Sequence, residues 1–259
     1  MKLTDPILSK DYRHSASRGN DYINNPSLWL MRNYFRQESE INYSMAMGTA
    51  SEIAAHAGLT IKDCNYKQVA EEQFKTIAEQ ALLKDKDYTE HGVIPKQMSK
   101  VVDITENFVD ILSNLQKDLL HYNKKYIVSE SRLMHQISFV PDFEYEDLII
   151  DTKATQAFPT DPFKTKMNHI RQVSLYGVLT GKDVALLYAT DKKCSLFGIP
   201  EKVVKREGEF MLECFSKIEK NNQLFKNAKE FMKFNILNTE GYQWDEETKN
   251  RANRYWAKA

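Results

Sequence analysis

Residues 139–155 read FVPDFEYEDLIIDTKAT, and the pattern inside them decides the fold. The EYED stretch offers a turn near Glu146 and Asp147 between two segments of strand character. If those segments pair as a tight hairpin about that turn, Asp142 falls opposite Asp151. Cross-strand neighbours of this kind lie roughly 5 Å apart. Side chains alternate along a strand, so Asp151 and Lys153 share one face, while Leu148, Ile150 and Thr152 share the other. Two carboxylates and one ammonium therefore gather at a sheet edge. An Asp-x-Lys in a strand is by itself common on solvated faces, so its surroundings must decide its meaning.

Working outward, Tyr126–Glu130, Leu133–Asp142 and Leu148–Ala154 are rich in β-branched and aromatic residues and read as strands. A helix over about Phe163–Leu179 follows, stopped by Thr180-Gly181. Val184–Thr190 and Cys194–Ile199 read as a further strand pair, and the chain from Glu201 onward is mostly helical. Upstream, the first twenty or so residues are polar and read as an extended arm. SLWLMRNYF then forms a helix, with Pro26 or Ser27 at its start. Residues 43–57 form another, in which Gly48 permits a close approach. Apolar residues at helical spacing from Gln68 to Lys84 and from Met98 to Asn123 predict a helical hairpin annex, linked around Gly92 and Pro95. The order predicts an α/β fold: a mixed central sheet flanked by helices, with a helical annex. The expected organisation is one domain over 1–259. It has a helical insertion at about 60–123, a core at about 126–200 and C-terminal helices over 201–259.

Composition narrows the chemistry. Of 259 residues, 42% are hydrophobic, which supports a packed core. No apolar run approaches the ~20 residues needed to cross a bilayer, and the polar N-terminus lacks a signal-peptide core. A cytoplasmic protein without membrane partners is the expectation. Lys plus Arg and Asp plus Glu each number 36, so net charge exerts no global pull on a polyanion. A polyanion would have to meet a local basic surface or bound metal ions. The cysteines, Cys64, Cys194 and Cys214, are scattered and form no CxxC pair. With 9 glycines there is neither a GxxxxGK[ST] loop nor a GxGxxG after a strand, which speaks against nucleotide-driven motors and dinucleotide enzymes.

Two aspartates as close as Asp142 and Asp151 repel each other unless something cationic lies between them. Hard oxygen ligands without a dedicated cage favour Mg2+ or Mn2+. Such an ion clamps a phosphate oxygen and acidifies bound water, and the neighbouring Lys153 would add a compact positive charge.

Pro-Asp, a nine-residue spacing and then Asp-Thr-Lys resembles the signature of the PD-(D/E)XK nuclease superfamily. Further stretches are similar to its RecB-like exonuclease branch. HIRQVSLYGVL carries Gln172 and Tyr176, four apart on one helix face and 19 residues past Lys153, like the branch's Q-x-x-x-Y motif. MGTASEIAAHAGL resembles the upstream G-x-x-x-H motif, with Glu52 at the histidine position and His56 one turn later. SESRL places Glu130 where members carry a glutamate on the strand before Pro-Asp.

Over roughly residues 26–190 the resemblance implies a restriction-endonuclease-like fold that hydrolyses phosphodiesters with Mg2+ or Mn2+. It implies Asp142 and Asp151 as metal ligands, the Thr152 carbonyl as a further ligand and Lys153 as the catalytic lysine. Gln172 and Tyr176 would brace the hairpin or hold DNA backbone. Glu52 is the expected upstream ligand and His56 an auxiliary. Glu130 is a candidate for a second metal or for orienting Lys153. CRISPR-associated relatives hold an iron–sulfur cluster on four cysteines; three scattered cysteines predict none here.

Lys164, Lys166, His169 and Arg171 lie just before or on the Gln172 helix, where they could meet phosphates. Arg251, Arg254, Tyr255 and Trp256 form an aromatic–basic tail suited to single strands, and Arg13, His14 and Arg18 offer a similar set. Three readings stay open. The first is a phage or bacterial DNA exonuclease, working alone or beside a separate recombination or replication protein. The second is a structure-specific endonuclease of the same fold. The third is a non-catalytic nucleic-acid-binding protein on a decayed nuclease fold.

Overall fold

A computed structural model describes residues 3, 5–37, 41, 43–82, 93–240 and 244–259, leaving aside the side chains of residues 81, 82, 93–96, 164 and 165. In chain order the helices are α1 (Ala16–Asn24), α2 (Pro26–Asn33), α3 (Tyr43–Thr60), α4 (Tyr66–Leu82), α5 (Val93–Ser113), α6 (Pro162–Thr165), α7 (Met167–Thr180), α8 (Glu201–Leu224), α9 (Ala228–Phe234) and α10 (Glu246–Trp256). The strands are β1 (His121–Tyr122), β2 (Tyr126–Val128), β3 (Ile137–Phe139), β4 (Phe143–Glu144), β5 (Leu148–Ala154), β6 (Asp183–Ala189) and β7 (Cys194–Gly198). Two compact units result. One comprises Met1–Ser39, Lys125–Phe139 and Arg206–Ala259; the other comprises Glu40–Lys124 and Val140–Lys205.

The unit of Glu40–Lys124 and Val140–Lys205 holds a five-stranded sheet in the order β1-β4-β5-β6-β7. The β5–β6 pair is parallel and the other pairs are antiparallel, giving the mixed sheet expected of an α/β fold. Parallel neighbours need a crossover, and α6 with α7 supplies it. In β6, Val184 to Ala189 are all buried, which explains why this strand reads as an unbroken apolar run. One face of the sheet is covered by α5. Ile104, Phe108 and Leu112 pack with Phe143, Ile150, Ala185 and Leu187. Behind them, Ala46, Ala50 and Ala54 of α3 meet Ala70 and Phe74 of α4. Gly177 lets α7 approach closely, since a Cβ there would come 2.8 Å from Val204 Cγ1 and 3.2 Å from Val184 Cγ1. The helix ends at Gly181, whose φ of 73° and N–H bond to Gly177 O (2.8 Å) complete a left-handed cap.

The other unit packs the terminal helices around a two-stranded ribbon. Its α2 starts with Pro26 in the first turn, and Asn25 caps it by accepting from Leu28 N–H at 3.0 Å. Leu28, Met31, Trp244 and Ala252 form its apolar centre together with Phe35, Tyr255 and Trp256.

Several expectations require correction. Residues 5–20 form no extended arm. Ile7, Leu8, Tyr12 and His14 are buried, and α1 begins behind Ser15, whose hydroxyl accepts from Arg18 N–H. A Cβ on Gly19 would run into Met211 and Phe215, so this glycine sets how closely α1 meets α8. Strands β2 and β3 pair with each other, and Ile137 bridges to His14, so neither joins the five-stranded sheet. Alternation marks a strand but does not choose its partner. Helix α5 ends at Ser113, ten residues early, and Gln116 (φ 52°) and Asn123 (φ 49°) turn the chain in left-handed conformations. Leu115 and Leu119 still pack on the core, which explains the persistence of apolar spacing there. Pro95 lies in the first turn of α5 and not in a link, while Gly92 lies outside the described residues. The predicted Phe163–Leu179 helix breaks at Lys166 into α6 and α7. A Cβ on Gly48 would sit 3.8 Å from Ala154 Cβ, an ordinary contact, so no close approach depends on this glycine.

Candidate active site

The β4–β5 hairpin sets the geometry. Phe143 pairs with Ile150 and Glu144 with Ile149, and this register continues to Asp142 opposite Asp151. The turn closes through Tyr145 N–H to Leu148 O at 2.8 Å. Lys182 holds it from below, donating to Glu144 Oε1 (2.8 Å) and Tyr145 O (2.7 Å). Pairing over so few residues could slip, and the buried Phe143 and Ile150 pin it.

Each charged group is placed by a different element. Asp142 Oδ2 accepts from the N–H of Thr152 at 2.7 Å and from its hydroxyl at 2.8 Å. In a strand, a residue's N–H and C=O point the same way, so the Thr152 carbonyl also faces the Asp142 edge. Asp151 is fully buried on β5. Its Oδ1 accepts from Gln172 Nε2 at 3.3 Å, and the same amide nitrogen donates to the Tyr176 hydroxyl at 2.8 Å. The Lys153 ammonium presses against Asp151 Oδ2, although that oxygen receives no well-directed hydrogen bond. Glu52 reaches in from α3 and accepts from Asn123 Nδ2 at 2.7 Å.

The electrostatics follow from this crowding. Burial, then Asp151 and Glu52, push the Asp142 carboxyl well above the usual carboxylate range. Burial also raises Glu52, with Asn123 opposing. Burial pulls Lys153 down, but Asp151, Asp142 and Glu52 together outweigh it and hold the ammonium charged. Burial, then Asp151, keep the Tyr176 hydroxyl protonated. Fully ionised, the three carboxylates would exceed the one ammonium by two negative charges, which one divalent cation would cancel; without it, burial and mutual repulsion hold Asp142 and Glu52 toward their neutral acids. That balance, the hard oxygen donors and the under-satisfied Asp151 Oδ2 fit Mg2+ or Mn2+. Asp142, Asp151, Glu52 and the Thr152 carbonyl are the groups available to hold it.

The structure thus gathers Glu52, Asp142, Asp151, Lys153, Gln172 and Tyr176. It uses other predicted residues differently. His56 stacks flat on Tyr122, with ring centroids 3.9 Å apart, and burial lowers its pKa. Glu130 belongs to the terminal-helix unit, where its carboxylate pairs with Arg132 at 2.8 Å. Burial, then Lys153 and Lys166, lower His169 to about 3, so it brings no positive charge to a phosphate; its Nδ1 meets the Tyr188 hydroxyl at 2.7 Å. Lys166 stands at the α6–α7 break and Arg171 on α7, whereas the Lys164 side chain lies outside the described residues. The tail aromatics are engaged within their unit. Tyr255 stacks on Phe35 at 4.1 Å, and Trp256 Nε1 donates to Asn235 O at 3.0 Å. Asn123 and Tyr122 escaped the sequence reading. A left-handed asparagine beside an aromatic residue is the faint signal they leave.

No protein-family model matches the chain, and no curated protein matches it in sequence. Among solved structures, one from Eubacterium rectale named "Putative exonuclease" superposes with a TM-score of 0.53 at 13% identity, over 82% of this chain and 81% of that one. The two share a fold. The SSO0001 structure covers 84% of this chain and 92% of that one at 13% identity, with a TM-score of 0.31. Among the described residues, no helix is long and apolar enough to cross a membrane.

Proposed function

We propose that this chain is a divalent-metal-dependent DNA nuclease that removes nucleotides from DNA ends, using Mg2+ or Mn2+. The observation that carries the reading is the half-buried group of Asp142, Glu52 and Lys153 around the buried Asp151, with Asp151 held by Gln172. The order of the Pro-Asp, Asp-x-Lys and Gln-x-x-x-Tyr motifs supports it, as does a fold shared with a structure named as an exonuclease.

In this reading Asp142, Asp151, Glu52 and the Thr152 carbonyl hold the cation. When bound, such an ion supplies polarisation of a phosphate oxygen and a more acidic water. Thr152 fixes the Asp142 carboxylate through two hydrogen bonds to one oxygen, leaving the other oxygen to ligate. Gln172, steadied by Tyr176, orients Asp151. Lys153 keeps its proton and presents positive charge where the phosphate gathers negative charge. Lys164, Lys166 and Arg171 would meet the DNA backbone. End processing in phage or bacterial recombination or repair, in the cytoplasm and beside a separate partner protein, is the setting this activity suits.

The test is degradation of end-labelled linear DNA in Mg2+, with a chelator control and Asp151→Asn alongside. Loss of product in both controls supports the proposal, and equal activity in Asp151→Asn overturns it. Covalently closed circles separate the two nuclease readings, because cutting them would make the protein an endonuclease. Folded protein that binds DNA but never cuts it, in any divalent metal, would mark a non-catalytic binder.

A further inference from the structure

A second constellation lies wholly within the unit built from the chain termini. His14 comes from the segment before α1, His135 from the loop before β3 and Glu219 from α8. Their ligating atoms all lie within 4.8 Å of one another, the one His/Cys/Asp/Glu trio that converges so tightly among the described residues. His14 Nε2 and His135 Nδ1 each stand 3.0 Å from the same oxygen, Glu219 Oε1. The His14 and Glu219 side chains are essentially buried, while His135 is 16% exposed and gives solvent access.

Hydrogen bonding alone does not account for this arrangement. A carboxylate oxygen offers about two lone-pair directions. Glu219 Oε1 already accepts from the His135 backbone N–H at 2.8 Å, and Oε2 accepts from Met134 N–H at 2.9 Å. Two imidazole nitrogens therefore compete for one remaining direction on Oε1. A cation between Nε2, Nδ1 and Oε1 satisfies all three atoms at once. In a tetrahedral zinc site with ~2.0 Å bonds, ligand atoms stand about 3.3 Å apart, a few tenths of an ångström beyond the 3.0 Å observed. Stacking on Phe215, with centroids 4.5 Å apart, fixes the His14 ring plane.

We infer that His14, His135 and Glu219 form a zinc-type transition-metal site that ties three distant chain segments together, with solvent completing the coordination beside His135. Two imidazoles and one carboxylate suit Zn2+ and disfavour Mg2+, which prefers all-oxygen shells. The site is separate from the Asp142–Asp151 group and does not rest on the nuclease reading. Its role is to staple the fold.

The experiment is equilibrium dialysis of the metal-stripped full chain against Zn2+, with elemental analysis, together with the visible absorption spectrum after loading Co2+. The expected result is one tightly held equivalent of Zn2+ in the wild type and in Asp151→Asn, unaffected by millimolar Mg2+. In His135→Asn, whose amide N–H can still reach Glu219, Zn2+ affinity should fall at least tenfold and the Co2+ bands should collapse. On the wild type alone, Zn2+ should raise the thermal midpoint, a measurement independent of any variant's folding. Folded wild type that retains no Zn2+ overturns the proposal. So does undiminished binding in a folded His135→Asn or Glu219→Gln, or loss of the ion in Asp151→Asn.

Discussion

Replacing Asp142 with asparagine should stabilise the metal-free protein while abolishing its cleavage of DNA. Asp142 faces Asp151 across the hairpin and shares its surroundings with Glu52. Two like charges near 5 Å apart, at an effective dielectric near 20, repel by about 3 kcal/mol. Lys153 cancels part of this, so the net relief expected from Asp142→Asn is about 1–3 kcal/mol. That is roughly 2–4 °C of thermal midpoint per kcal/mol for a chain of this size. The asparagine carbonyl can still accept from the Thr152 N–H and hydroxyl, so no buried donor is orphaned. The sign with pH follows from the raised pKa. The folded state holds the Asp142 proton more tightly than the unfolded chain does. Its contribution to stability is full below the unfolded carboxylate value near 3.8 and is lost as pH rises through the higher folded value. Metal-free wild type should therefore lose stability above about pH 4, and Asp142→Asn should lose less. Some slope remains because Glu52 is raised too. Thermal melts in chelator from pH 4 to 9 measure this. Adding Mg2+ should then raise the wild type and leave the variant nearly unchanged. An Asp142→Asn protein that melts lower than wild type in chelator at pH 8 would refute the reasoning, because it would mean that the carboxylates do not strain the fold.

Gln172→Leu should leave the melting temperature within a few degrees of wild type, yet lower kcat by roughly 10–100-fold, the usual cost of losing a group that orients a metal ligand; steady-state nuclease assays read it. Gly177→Ala should destabilise by about 1–3 kcal/mol in chemical denaturation, since its Cβ would overlap Val204 and press on Val184. Gly48→Ala, with an open 3.8 Å neighbour in mid-helix, should instead gain about 0.5–1 kcal/mol in the same measurement.

Some of this molecule can be read from local rules. The facing of Asp142 and Asp151 needs only a turn at Glu146-Asp147 and the two-residue alternation of a strand. The pairing of Gln172 with Tyr176 needs only the pitch of a helix. What failed required knowledge of partners. Residues 126–139 alternate like sheet strands, yet they pair as a separate ribbon, because backbone alternation carries no address. A strand as short as β1 leaves no periodic trace, so Asn123 at its end, which grips Glu52, was invisible. The polar opening segment hid a capped helix, because its burial rests on a few residues, Ile7, Leu8, Tyr12 and Ala16. His14, His135 and Glu219 share no local pattern at all.

The hydrogen bond between His14 and Glu219 spans 205 residues of chain. At a synthesis rate of ~5–20 residues per second, His14 emerges roughly ten to forty seconds before its carboxylate partner exists. The unit of Glu40–Lys124 and Val140–Lys205, by contrast, has every strand of its sheet by residue 198. During translation the sheet can close while His14 still waits for Glu219, so of the two units the one that holds the earlier residue is the later to be completed.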